Sequence, residues 1–196
     1  MFSIIPPHKR SKKQAQFDQM RLMLNRILPN GICIPENDPF DTDESVYVIV
    51  QSDAGEVVAA CRLNPTTGPH MFTSLFPNVD TGRPYSMGKD TWECSLFVID
   101  KETVPNPIEQ LEIHSRLSIG LTIFCLDNQI TKLCWLAHPK FSAMVRSVWK
   151  AEVFGFSNLS QDEQPWICAM STIESETLDR LLDSHRGLGI QVMGVH

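Results

Sequence analysis

Asp38 and Asp41 stand three residues apart across a proline, in Glu36-Asn37-Asp38-Pro39-Phe40-Asp41. A turn there can point both carboxylates to one side. Two carboxylates in a partly dry pocket hold a cation by Coulomb attraction, although capping aspartates of a solvated turn share the spacing. Arg62, in Cys61-Arg62-Leu63-Asn64-Pro65-Thr66-Thr67, lies near the end of a hydrophobic strand, where an unpaired charge is costly. It must meet carboxylates, and Asp38, Asp41 or Glu93 would serve. Trp92-Glu93-Cys94-Ser95 sets a carboxylate inside an apolar strand. Burial raises such a pKa towards that of a general base; the alternative is an ion pair with Arg62. Glu93 and Ser95 are the candidate catalytic residues, and Asp38, Asp41 and Arg62 the candidate substrate-binding ones. No Cys-x-x-Cys and no His pair at ligand spacing occur, so no metal site is expected.

These residues need elements to position them. Phe17, Met20, Leu24 and Leu28 recur near the 3.6-residue period, predicting an amphipathic helix over 15–28 that stops at Pro29-Asn30-Gly31. The β-branched run 46–50, a turn at Ser52-Asp53-Ala54-Gly55 and the return 56–63 predict a β-hairpin. Residues 64–91 read as a long functional loop with at most a short helix near Met71–Phe76. A strand over 91–100 follows, then a helix of about twenty residues entered through Pro105 and Pro107. A strand at 132–137, a helix from Pro139 to about Lys150, a strand at Trp166–Met170 and a helix at Glu174–His185 complete the order. This is an α/β chain with a mixed sheet flanked by helices. No Gly-x-Gly-x-x-Gly follows a strand, which argues against a Rossmann dinucleotide fold.

Composition bounds the rest. The 196 residues carry 17 Lys+Arg against 23 Asp+Glu, a formal net charge of −6, with 42 % hydrophobic and 20 % charged residues. A disordered chain is poorer in aliphatics, and one domain over 1–196 is the expected count. No run approaches 18 apolar residues, so no membrane-spanning helix is expected. Met-Phe-Ser-Ile-Ile-Pro-Pro precedes the first basic residues, the reverse of a secretory signal, so the expected location is the cytoplasm. Six cysteines, at 33, 61, 94, 125, 134 and 168, read as reduced thiols. The acidic balance opposes general nucleic-acid binding, though residues 8–26 are basic and 36–56 acidic.

Four linked motifs then resemble one family. Glu36–Asp41 with Tyr47, Arg62-Leu63-Asn64-Pro65-Thr66-Thr67-Gly68-Pro69-His70-Met71, Phe76-Pro77, and Trp92–Asp100 run in the order and spacing of the acyl-homoserine-lactone synthases, the autoinducer synthases of bacterial quorum sensing. The resemblance implies a fold like that of the GNAT acyltransferases, with a V-shaped opening between central strands. It implies an acyltransferase that makes an N-acyl-homoserine lactone from S-adenosylmethionine and an acyl thioester carried by acyl carrier protein or coenzyme A, with no further cofactor. Asp38 and Asp41 match the family's acidic pair, Arg62 its strand arginine, Phe76 its loop phenylalanine and Glu93 its strand glutamate. Two other readings stay open: an acyltransferase acting on a different amine, and a silent ligand-binding homologue.

The chain also departs from the pattern. The family's first helix carries an arginine, followed by a phenylalanine and a loop tryptophan. Aligned on Met20, the first two fall on Leu24 and Leu28, and no tryptophan follows. A shifted alignment brings Arg21 or Arg26 to the arginine position. A second family arginine, three residues after the glutamate, is Leu96 here. An acidic carrier protein would need a basic landing surface. Residues 9–13 offer Lys9, Arg10, Lys12 and Lys13 in a segment read as flexible. Lys140, Arg146 and Lys150 fall on the helix after Pro139, where Arg146 and Lys150 are four apart and share a face. The ordered helix is the better platform, unless it is simply a solvated face.

Overall fold

The computed structural model describes residues 1–28, 38–75, 87–137, 145–157 and 166–187. Gln14–Ile27 form α1, which buries Phe17, Met20, Met23 and Leu24 on one stripe. The expected hairpin is present as β2 (Val46–Gln51) and β3 (Val57–Pro65). Its turn needs Gly55, whose φ of +85° a side chain rarely adopts. Met71–Leu75 make the short helix α2, and Thr91–Ile99 make β4. The helix α3 (Pro107–Asp127) opens on Asn106, whose side chain accepts from the Ile108 amide, with Pro107 in its first turn. Next come β5 (Lys132–Ala137), the described residues 145–149 of α4, β6 (Glu152–Ser157), β7 (Trp166–Thr172) and α5 (Ser175–Gly187).

Two strands were not expected from sequence. Phe2–Ile5 form β1, pairing antiparallel with β2 from Phe2↔Val50 to Ile5↔Tyr47. Four residues carry little periodicity, and their partner lies more than forty positions away, so only pairing defines them. The β6 strand carries Gly155 and pairs with β7 through a register shift between Val153 and Gly155.

Among the described residues seven strands form one sheet in the order β1-β2-β3-β4-β5-β7-β6. All neighbours are antiparallel except β4 and β5. That parallel ladder runs only from Thr91↔Lys132 to Cys94↔Trp135. Beyond it, β4 continues beside β3 and β5 beside β7. The central strands therefore part, which is the V-shaped opening expected above.

Both faces of the hairpin are covered. Val46, Val48 and Val50 join Cys61, Leu63 and Cys94 in a core under α3, with Leu117, Leu121 and Phe124. Tyr47, Ile49 and Ala60 face the other way, against Phe17, Met20 and Leu24 of α1. The α3 helix lies so close to the sheet that a Cβ on Gly120 would meet Phe2 and Val48 side chains at 2.8 and 2.9 Å. Cys61, Cys94, Cys125, Cys134 and Cys168 are free and buried; Cys33 lies outside the described residues. Among the described residues no helix is long and apolar enough to cross a membrane.

Candidate active site

The β3–β4 register sets Arg62 opposite Ser95, Leu63 opposite Cys94 and Asn64 opposite Glu93. Strand alternation sends Leu63 and Cys94 into the α3 core. Arg62, Asn64, Glu93 and Ser95 then share the α1 face, at the end where β4 and β5 part. A register shift follows, with Leu96 and Phe97 of β4 (between Ser95 and Val98) set against the single Cys61 of β3 (between Ala60 and Arg62). Leu96 absorbs it at a left-handed φ of 52°. This β-bulge turns Leu96 to the same face as its neighbour Ser95, and Leu96 packs against the α1 cluster.

Arg62 is fully buried. Of its three candidate partners, Asp38 takes the ion pair. Its Nε donates to Ser95 Oγ at 3.2 Å. The sequence reading made Ser95 a candidate catalytic residue; in the structure its hydroxyl lies on the Arg62 guanidinium. Asp38 Oδ1 also accepts from the Phe40 amide at 2.9 Å, which holds the acidic turn.

Asp41 pairs elsewhere, with Arg10 at 3.0 Å. The same guanidinium donates to the Thr42 and Ser45 carbonyls at 3.0 and 2.8 Å. It lies 5.2 Å from the centroid of the Phe17 ring and 5.6 Å from that of Tyr47. Arg10 is thus a clamp on the acidic loop rather than part of a flexible landing segment, because three oxygens and two rings engage its guanidinium at once. A contact spanning 31 positions leaves no local signal in the sequence. Tyr47 completes the group: burial pushes its hydroxyl pKa up, with the nearby Arg62 and Asp41 charges acting on it in opposite directions.

Glu93 is also fully buried. Its Oε1 accepts from the Met71 amide at 3.1 Å and its Oε2 from the Phe72 amide at 2.5 Å, at the start of α2. Burial raises its pKa, opposed by those two amides and by the nearby His70 and Arg62 charges. His70 is itself buried, its Nδ1–H donating to the Gly68 carbonyl at 2.8 Å. Arg62 therefore acts on Glu93 as a neighbouring charge, and the backbone supplies the direct partners.

Met20, Arg21, Leu24, Asp38, Asp41, Tyr47 and Leu96 line one small pocket. Both leucines that stand at the family's arginine positions are among them, side by side with the acidic pair. Of the two arginines a shifted alignment could supply, Arg21 is at this pocket. Arg26 is taken by the buried Asp100, at the far end of β4.

The opposite, α3 side of the opening is aromatic. Trp135, the last β5 residue paired with β4, packs on Trp149 with centroids 4.6 Å apart. Phe97 and His114 complete the cluster, and burial pulls the His114 pKa down to about 4. Phe76 and Lys140 lie outside the described residues. Arg146 and Lys150 are exposed and line one shallow surface depression with Ser147 and Ala151. The described helix ends at residue 149, and Lys150 follows at a φ of 49°. The helix face that the two were expected to share is therefore replaced by proximity around a helix end.

Known proteins resemble this chain in sequence and in fold. A protein-family model described as autoinducer synthase matches residues 27–181. An acyl-homoserine-lactone synthase of Acinetobacter nosocomialis is 31 % identical over 87 residues, 44 % of this chain and 47 % of that protein. The chain thus spans about half the length of the curated relatives it matches. The solved structure of the CoA-dependent acyl-homoserine lactone synthase BjaI, with SAM and isopentyl-CoA, superposes with a TM-score of 0.78 at 21 % identity, covering 98 % of this chain and 91 % of that one. A putative N-acetyltransferase from Lactobacillus plantarum superposes at 0.54, with 11 % identity over 89 % of this chain and 98 % of its own, so the fold is that of a GNAT-like acyltransferase. The motifs of residues 36–100, the parted sheet they sit on and the match over most of the length agree, and the chain belongs to the autoinducer synthase family.

Proposed function

We propose that the chain is an acyl-homoserine-lactone synthase, moving an acyl group from a thioester of acyl carrier protein or coenzyme A to the amine of S-adenosylmethionine. The observation that carries this reading is the buried set on the α1 face: Arg62 on Asp38 and Ser95, beside Glu93 held by two amides, where β4 and β5 separate. The acidic pair supplies negative charge for a sulfonium and an ammonium, and Arg62 and Arg10 hold each carboxylate in place. The aromatic cluster across the opening is an apolar wall for an acyl chain.

The chemistry runs in two steps. Glu93, through a water, takes a proton from the substrate ammonium, using carboxylate lone pairs that the two amides leave over. The amine adds to the thioester carbonyl, and the tetrahedral intermediate expels the thiol. Backbone N–H groups along the separated strand edges suit the developing oxyanion. The substrate carboxylate then attacks its own γ-carbon, breaking the bond to the sulfonium sulfur and releasing methylthioadenosine. That closure is intramolecular, so it asks the protein mainly for conformation. No cofactor beyond the two substrates enters this scheme.

Mass spectrometry of lipid extracts from an expressing strain tests the reading. A lactone supports it, a different N-acyl product replaces it with another acceptor, and no acylated product overturns it. Asp38→Ala and Asp41→Ala are each expected to weaken S-adenosylmethionine binding about tenfold or more, as loss of a charged contact does, and thioester binding less. Calorimetry with the reverse order would remove the acidic pair from the acceptor subsite. The donor carrier has its own test. Charge reversal at Arg146 and Lys150 should raise KM for an acyl-carrier-protein donor several-fold and leave the acyl-coenzyme A donor nearly unchanged. Equal effects on both donors, or none on either, would sink that docking face.

A further inference from the structure

On the α1 face, Asn64 is a neutral side chain whose hydrogen bonding is incomplete. It is fully buried. Its Nδ2 donates to the Phe40 carbonyl at 2.9 Å, which fixes the amide's orientation, since a carbonyl only accepts. Its Oδ1 is then a buried acceptor without a hydrogen-bond partner among the described residues. Such atoms are rare and costly in folded proteins. The Phe40 carbonyl does not demand the asparagine, because Ser45 Oγ also donates to it at 3.1 Å. An apolar side chain at position 64 would suit the strand better, so the retained amide oxygen points to a donor from outside the fold.

Register says where that donor would sit. Asn64 is directly opposite Glu93 on the same face, where cross-strand Cβ atoms lie about 4.5–5.5 Å apart. On its other side is the Arg62–Asp38 pair. A group that gives its proton to Glu93 through one water therefore stands within reach of Asn64 Oδ1. That oxygen is neutral and accepts only, so it suits an amine N–H and does not compete for Arg62 as a third carboxylate would.

We propose that Asn64 is a positioning residue for the acceptor amine, its Oδ1 accepting one N–H while the lone pair freed by Glu93 turns to the thioester carbonyl. The inference rests on the acyl-transfer reading for its catalytic half. The proton leaves to Glu93, the new C–N bond forms from the amine lone pair, and Asn64 exchanges no atoms.

Asn64→Leu is the test, since leucine is similar in size and lacks the orphan oxygen. Lactone-forming kcat/KM is expected to fall about 10- to 100-fold while the melting temperature holds or rises. Calorimetry separates this from a packing defect. S-Adenosylhomocysteine, which carries the amine, should bind the variant about tenfold more weakly. Methylthioadenosine, which lacks it, should bind both proteins within twofold. Asn64→Ala provides the same comparison should the leucine variant fail to fold. Equal losses for both ligands, no loss for either, or a wild type that does not favour the amine-bearing ligand would each overturn the proposal. A wild type that forms no lactone, yet keeps an Asn64-dependent preference for the amine, would overturn the acyl-transfer reading and leave the amine subsite standing.

Discussion

Glu93→Gln is expected to abolish measurable lactone formation, a loss of about 10²–10⁴-fold for a removed general base, and to lower the melting temperature as well. The second effect follows from the amide clamp. Both carboxylate oxygens accept backbone N–H groups, from Met71 and Phe72. A glutamine side chain offers one oxygen and one NH2, so one of those amides faces a donor instead of an acceptor. A buried donor left unsatisfied costs about 1–3 kcal/mol, a few degrees in a protein of this size. The wild-type rate should also fall on the acid side through a pKa above the ordinary carboxylate value, because burial raises it. As pH drops through that pKa the base is protonated and the rate declines with it; the glutamine variant should lack this limb. Wild-type turnover by Glu93→Gln would exclude Glu93 from the chemistry, and an unchanged melting temperature would mean that the clamp does not hold α2 in solution.

Arg62→Leu should be the most destabilising single change in the site. Arg62 is fully buried and Asp38 has only 6 % of its side chain exposed. Removing the cation leaves a carboxylate in a low-dielectric site, a loss of about 3–5 kcal/mol for a broken buried pair. In a chain of this length that lowers the melting temperature on the order of 10 °C. Activity should be lost with it, since Ser95 and the acidic turn both lean on the guanidinium. The double variant Arg62→Leu/Asp38→Leu removes both charges and should recover most of the stability without recovering turnover. A single variant with an unchanged melting temperature would show that Arg62 is not a buried ion-pair partner. A double variant no more stable than the single would place the cost in packing rather than charge.

Much of this protein was legible before any tertiary contact was known. Local patterns specify the β2–β3 hairpin, the β4 strand, the stripe of α1 and the proline-marked entry to α3, because strand alternation, helix period and turn residues act over a few neighbours. The site's two central residues were legible for the same reason, as charges inside apolar strands that burial makes expensive. What those charges meet was not. Asp38 rather than Asp41 pairs with Arg62 across 24 positions, and Arg10 reaches Asp41 across 31. Glu93 finds backbone amides instead of a side-chain cation. The bulge that turns Leu96 beside Leu24, the fourfold polar face, and the short strands β1 and β6 exist only through the sheet register. The sequence by itself determined which residues could not be left alone in a dry interior, since desolvation cost is a property of the side chain. The tertiary structure decided which partner each received, because partner choice depends on which segments the folded sheet brings within hydrogen-bonding distance.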